Sequence, residues 1–245
     1  MKFIKYFYIF FLLTSPLISF GEDACRFNKR YETYNSKSDF YIAEIDDFFT
    51  AILLDDIDKV KYLIFRVGLS PNTFNKHGNP ALVFSIREGS NKVTSFLLDY
   101  KDTDLEVQNI YGENPLMWAA YLGKLDIVKK LVDIKKVNVN KVGWSPIHYA
   151  ASTGQNEIAE YLLVNGANPD SKSPNETTPM MLAARHGYIQ IVRYLLNAGA
   201  DISARNQQGM TAIDFASKAS QKEISDGLSS RWRKLYGESY KPLTN

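Results

Sequence analysis

Cysteine is nearly missing from the chain: Cys25 is the single one in 245 residues. No internal disulfide can form, so export into an oxidising compartment has not been used to staple the fold. The thiol is either a bystander or a link between two chains. Histidine is almost as scarce, with His77, His148 and His186 far apart in the sequence. There is no His-Glu-x-x-His, Cys-x-x-Cys, phosphate loop or Gly-x-Ser-x-Gly, so no local motif supplies a nucleophile with its base or a metal cage. The expectation is a protein that is not an enzyme and carries no cofactor or metal. Asp55, Asp56 and Asp58 form the densest acidic cluster. They lack the glycine and terminal glutamate of a calcium loop and fit a polar turn.

An excess of either charge is missing too. Lys and Arg number 29, Asp and Glu 27, for a formal net charge of +2, which gives no global basic field to attract nucleic acid. The apolar run from Tyr6 to Phe20 is broken by Thr14, Ser15, Pro16 and Ser19 and falls short of the roughly 20 residues that span a membrane. Lys2 and Lys5 precede it and the small residues Ser19 and Gly21 end it, the pattern of a secretory signal peptide. We place it at residues 1–21, cleaved after Gly21, with an uncleaved anchor as the alternative. Loss of the two lysines leaves a mature chain near neutrality and without an integral membrane span.

What the sequence does contain is repetition. A glycine two residues ahead of a Thr-Pro-like slot marks each copy: Gly78, Gly112, Gly143, the equivalent Glu176 and Gly209, at steps of 34, 31, 33 and 33 residues. After each marker a short helix opens, as in Asn114-Pro115-Leu116-Met117, Ser145-Pro146-Ile147-His148 and Thr178-Pro179-Met180-Met181. A hydroxyl or amide there can cap free backbone donors, and proline tolerates the first helical position. A second helix follows, with Ile158, Ala159, Leu162 and Leu163 at three- and four-residue steps, the apolar stripe of an amphipathic helix. One such pair cannot bury its stripe and needs neighbours on both sides. Upstream, Phe48-Phe49-Thr50-Ala51 and Val60-Lys61-Tyr62-Leu63-Ile64 fall in register one period earlier. The count is six units over residues 40–228, with degenerate first and last units as caps.

The unit Ser145–Asp170, with its Pro146, His148, Ala150-Ala151, Gly154 and Gly166-Ala167-Asn168, closely resembles an ankyrin repeat. That resemblance implies an all-α fold: an ankyrin-repeat solenoid of stacked helix pairs joined by short β-hairpin-like loops. Residues 22–39 form an N-terminal arm, and no linker splits the rest, so one domain is expected. Residues 229–245 form a C-terminal segment whose Arg231-Trp232-Arg233-Lys234-Leu235-Tyr236 serves either as a cap on the solenoid end or as a membrane-surface or partner-docking tail.

The resemblance also implies a binding surface, the concave face made by hairpin tips and first helices. The family positions that face it correspond to Tyr111, Trp144 and Met210 at the tips and to Arg87, Tyr121, Leu122, Arg185 and His186 on the first helices. His148 fills a structural slot in the family, while His77 at a tip and His186 at a helix end are expected to face solvent. The implied function is an exported interaction module, a monomer that binds another protein and no nucleic acid. Such a module serves as an accessory or protective partner of another exported protein in the periplasm or after secretion. The alternatives are an immunity protein blocking a toxin and a secreted effector acting in a host cell.

Export is testable on its own. A fusion of residues 1–30 to a reporter active only outside the cytoplasm is expected to give signal, with Glu22 as the mature N-terminus by sequencing. A cytoplasmic product still carrying Met1 would remove the localisation argument.

Overall fold

The computed structural model describes residues 40–242, so the expected signal peptide, the N-terminal arm and Cys25 lie outside the described residues. Among the described residues, twelve α-helices fall into six consecutive pairs: α1 (Phe40–Leu53) with α2 (Ile57–Tyr62), α3 (Ala81–Glu88) with α4 (Asn91–Asp99), α5 (Pro115–Tyr121) with α6 (Leu125–Lys129), α7 (Pro146–Thr153) with α8 (Asn156–Val164), α9 (Pro179–His186) with α10 (Ile189–Asn197), and α11 (Ala212–Lys218) with α12 (Lys222–Tyr236). First helices pack on first helices, α1 on α3 and so on through α11, and second helices form a looser row behind them. This is the stacked-pair, all-α architecture expected from the repeats. Its hairpins are minimal, with one isolated antiparallel bridge, Phe74 to Pro80, among the described residues.

In the third, fifth and sixth units the first helix begins at a residue whose side chain accepts from an N–H of its first turn, whereas Pro80 precedes α3 without such a bond. Asn114 accepts from the Met117 N–H at 3.0 Å. In the fourth unit His148 Nδ1 lies 2.8 Å from Ser145 Oγ and accepts from the Ser145 N–H at 3.2 Å, a reciprocal cap. Its Nε2 bonds Thr177 O at 3.0 Å, tying the fourth unit to the fifth. The ring is fully buried. Behind the caps, Ala119-Ala120, Ala150-Ala151 and Ala183-Ala184 are fully buried, narrow enough for adjacent first helices to meet closely. Gly154 ends α7 at φ +76°, and a Cβ there would come 2.6 Å from the ring of Tyr188 in the next unit. Both the left-handed backbone and that contact call for glycine.

The second helices differ in length for a legible reason. From the residue before the helix to its left-handed closing residue the spacing is eleven in the fourth and fifth units, Gln155 to Gly166 and Tyr188 to Gly199. It is twelve in the first and third, Asp56 to Gly68 and Lys124 to Lys136. The extra residue is absorbed by π-helical turns at Leu63–Val67 and Lys130–Ile134, the usual way a helix accommodates an insertion. The closing bond lengthens in step: Ala167 N–H to Leu162 O in one case, Leu69 N–H to Leu63 O in the other.

A ladder of side-chain to backbone bonds joins the loops that follow the second helices. Asn72 Oδ1 accepts from Asp104 N–H at 2.7 Å, Glu106 Oε1 from Asn138 N–H at 3.1 Å, Asn140 Oδ1 from Asn168 N–H at 2.8 Å, and Asp170 Oδ1 from Asp201 N–H at 2.9 Å. The acidic turn of the first unit does similar work. Asp56 caps its own α2 through Lys59 N–H at 3.0 Å, and Asp55, left-handed at φ +53°, accepts from Val93 and Lys92 N–H at the start of α4.

At the far end α12 runs through residue 228, the expected limit of the repeats, because Ile224, Leu228 and Trp232 share one face and all pack on the core. Trp232 and Tyr240 meet edge to face at 4.9 Å, and the Tyr240 hydroxyl bonds Asp214 and Thr211 at the start of α11. Burial, then Asp214, pushes the Tyr240 phenol up to about 12. Trp232 and Tyr240 therefore cover the end of the array, while Leu235 and Tyr236 stay exposed.

Leu162 and Leu195 are fully buried on α8 and α10, and replacing either with alanine is expected to destabilise by about 2–5 kcal/mol, measured by chemical denaturation. Losses well under about 1 kcal/mol at both would refute this packing. The pH dependence follows from His148, whose pKa burial lowers from 6.5 to about 4 against opposing backbone hydrogen bonds. A folded-state pKa below the unfolded one means the unfolded chain takes up the proton first as pH falls. The contribution is complete above pH 6.5 and is lost toward pH 4, on the order of 3 kcal/mol in all. His148→Gln is expected to be less stable at pH 7 but to show a shallower decline in melting temperature between those pH values.

Candidate functional site

The second, third and sixth tips are built by asparagines three residues before the marker. Asn75 Oδ1 accepts from His77 and Asn79 N–H, both at 3.0 Å; Asn109 Oδ1 from Tyr111 and Glu113 N–H; and Asn206 Oδ1 from Gln208 and Met210 N–H. The markers Gly78, Gly112, Gly143 and Gly209 all have positive φ, and Glu176 takes the same left-handed backbone at φ +61°, at a cost of about 1–2 kcal/mol to a residue with a Cβ. From the ladder residue to the marker is six residues in the second, third and fifth units, Asn72 to Gly78 for example, but three in the fourth, Asn140 to Gly143. The short step of 31 residues is thus a clipped fourth tip. On either side of it neighbouring tips join, Ile110 N–H to Gly78 O at 3.3 Å and Gln207 N–H to Asn175 O at 3.0 Å. Trp144, next to the clipped tip, is half-buried and sets its ring edge against His148 at 5.3 Å.

The first helices carry an aromatic strip fixed from beneath by a buried carboxylate. Glu113 is 2% exposed. Its Oε1 accepts from the Tyr149 hydroxyl at 2.8 Å, and its Oε2 from Trp118 Nε1 at 3.0 Å and Asn109 Nδ2 at 2.8 Å. Three donors from two units satisfy a group that would be costly to bury alone. Burial, and then the Glu113 charge, pushes the Tyr149 phenol well up from its ordinary value. Tyr121 lies edge-on to Trp118 at 5.7 Å and to Tyr149 at 6.3 Å, and its phenol is raised by burial and then by Glu113. The Arg87 guanidinium stands over Phe84 at 5.2 Å and Trp118 at 5.9 Å and pairs with Glu88 at 2.9 Å. Phe84, Arg87, Trp118, Tyr121 and Tyr149 therefore form one contiguous strip across three units, in which Phe84, Arg87 and Tyr121 are partly exposed and Trp118 and Tyr149 are buried beneath them.

The remaining candidates lie along the same row of tips and helix ends. Tyr111 is 47% exposed at the third tip. Leu122 caps α5 and packs partly against the core. Arg185 is half-exposed in the last turn of α9, and Met210 at the sixth tip accepts from Lys218 Nζ through its sulfur at 3.2 Å. His186 departs from the solvent-facing position expected of it: its ring stacks with Tyr188 at 5.9 Å, and burial, with the Arg185 charge second, lowers its pKa. The reason is Tyr188, which fills the space beside Gly154 and carries His186 against it. His77 is exposed.

Sequence reasoning missed Glu113, Phe84, Trp118 and Tyr149. The signal was present, since Phe84, Trp118, Tyr149 and Phe215 all stand six residues past their markers, with Leu182 in the fifth unit.

The chain is similar to known proteins over these units. The family described as ankyrin repeats (3 copies) matches residues 48–142, 101–173 and 147–231. Alpha-latrocrustotoxin-Lt1a of Latrodectus tredecimguttatus is 37% identical over 79 residues, 31% of this chain and 6% of that protein. Ankyrin repeat and SAM domain-containing protein 6 of Rattus norvegicus is 37% identical over 125 residues, 49% of this chain and 14% of that protein. Neurogenic locus notch homolog protein 1 of Homo sapiens is 30% identical over 129 residues, 51% of this chain and 5% of that protein. The chain spans only a small part of the length of these relatives.

Proposed function

The chain belongs to the ankyrin repeat family, a class of protein–protein interaction modules that are generally not enzymes, and from that premise we propose that it is an exported protein holding a partner protein on the face of its tips and first helices. One observation carries the reading. Arginine and large aromatics, the residue types that dominate interface energetics, are partly exposed on this face at Arg87, Tyr121 and Trp144, with Arg87 and Tyr121 resting on the buried rings of Trp118 and Tyr149. Their rotamers are already held by Glu113 and by one another, which lowers the entropy lost on binding. The lysine-flanked apolar run of residues 2–21 supports the exported half of the proposal. A Gram-negative periplasm, with another exported protein as the one protected, is the setting we propose.

The test uses mature protein to recover a partner from periplasmic extract, followed by titration of that partner with variants. Tyr121→Ala and Trp144→Ala are each expected to weaken binding by roughly 2 kcal/mol or more, measured well below the melting temperature with far-UV circular dichroism as a check on folding. Arg185→Ala is expected to act through charge, with an effect that shrinks as salt rises. Glu157→Ala, exposed on α8, serves as control. Unchanged affinity in all three face variants would sink the proposal.

A further inference from the structure

From the second unit to the sixth, the proposed binding face carries more basic than acidic side chains. In the tips and first helices of units two to six, residues 75–88, 109–122, 140–153, 172–186 and 205–218, seven side chains are basic, among them Lys76, Arg87, Lys141, Arg185 and Lys218, and four are acidic. None of the four acids offers an unopposed surface charge. Glu113 and Asp214 are buried, and Glu88 and Glu176 are each ion-paired at 2.9 Å, with Arg87 and Lys172. The rest of the same five units, residues 89–108, 123–139, 154–171, 187–204 and 219–236, carries twelve acids and twelve bases. The excess therefore belongs to units two to six of this face and is invisible in the net charge, while α1 at the first unit adds Glu44, Asp46 and Asp47 and no base.

Contacts fix these cations along the face. Lys141 Nζ sits beside the third tip, 3.6 Å from where a Cβ on Gly112 would lie. Lys218 Nζ reaches the sixth tip at Met210, and Arg205 Nη1 donates to Gly209 O at 2.6 Å. Arg87 lies on Trp118 at the centre of the aromatic strip. Cations interleaved with a low-dielectric strip of rings focus a positive potential over the groove. The rings themselves are engaged edge to face, and Arg87 occupies a face of Trp118, so they offer no open platform for stacking bases.

Resting on the reading that this face is the binding surface, we infer that its partner is a protein segment rich in aspartate and glutamate, with apolar or aromatic residues between the acids. Carboxylates pair with cations of this face other than Arg87 and Lys172, which already hold Glu88 and Glu176, while the apolar residues cover the partly exposed rings of the strip.

Panning a random peptide library against the full mature chain tests this directly. Selected peptides are expected to be enriched at least 2-fold in Asp and Glu over the starting library. Their dissociation constants are expected to rise at least 10-fold between 50 and 300 mM NaCl and at least 10-fold in a triple variant Lys76→Gln, Lys141→Gln, Arg185→Gln. They are expected to stay within about 2-fold in a control triple, Lys92→Gln, Lys129→Gln, Lys222→Gln, on the second helices. The salt measurement on unmodified protein keeps the test decisive if the face triple folds poorly. Peptides of neutral or basic composition that still lose binding with Tyr121→Ala would overturn the acidic partner while leaving the binding face intact. Acidic peptides sensitive to the control triple but not to the face triple would overturn both. A 20-mer of deoxythymidine that binds more tightly than the best peptide would also overturn the inference, in favour of a nucleic acid.

Discussion

A pair of short helices has one apolar side too many. The first helices α5, α7 and α9 are narrow, each with a buried alanine pair, and the second helices carry single stripes such as Ile158, Leu162 and Leu195, so neither row closes a core within its own unit. Every other feature answers that deficit. Loop side chains from Asn72 to Asp170 each accept from the next loop, His148 reaches the carbonyl of Thr177 in the following unit, and Asp55 caps the helix of the unit after its own. Polar groups that terminate one repeat are satisfied by the next, so stacking is specified by hydrogen bonds as well as by burial. The array ends where Trp232 and Tyr240 replace a seventh neighbour.

Within this regular frame the irregular places carry the individuality of the molecule. Insertions in the second helices are absorbed as π-helical turns and leave the first-helix row undisturbed. The deletion falls in the fourth tip, between two pairs of joined tips, beside Trp144 and on the same side as the aromatic strip. Glu113 links these levels. It occupies the position just after a tip marker, where the other units have Asn79, Trp144, Thr177 and Met210. Its carboxylate makes that position an anchor for two rings from adjacent first helices. Trp118 and Tyr149 are themselves buried, and they form a rigid floor against which the partly exposed Tyr121 and Arg87 are held before any partner arrives.

Much was legible in the residue order. The period, the Pro-bearing helix starts, the closing glycines and the apolar stripes determined six helix pairs, the all-α stacked architecture and the structural part played by His148, because each is a local requirement of backbone geometry or capping. The clipped fourth tip was visible as a step of 31 residues, and the added residues in the first and third units could have been read from the spacing to Gly68 and Lys136. Tertiary structure alone decided which groups meet across units. That Tyr149 donates to Glu113, thirty-six residues away, depends on how closely α5 and α7 approach. That His186 is drawn against Tyr188 depends on the space beside Gly154. The segregation of charge likewise appears only when the tips and first helices are gathered onto one side. A sequence fixes what each repeat must bury and where its helices start and stop, whereas the contacts between repeats depend on distances that exist only once the units are stacked.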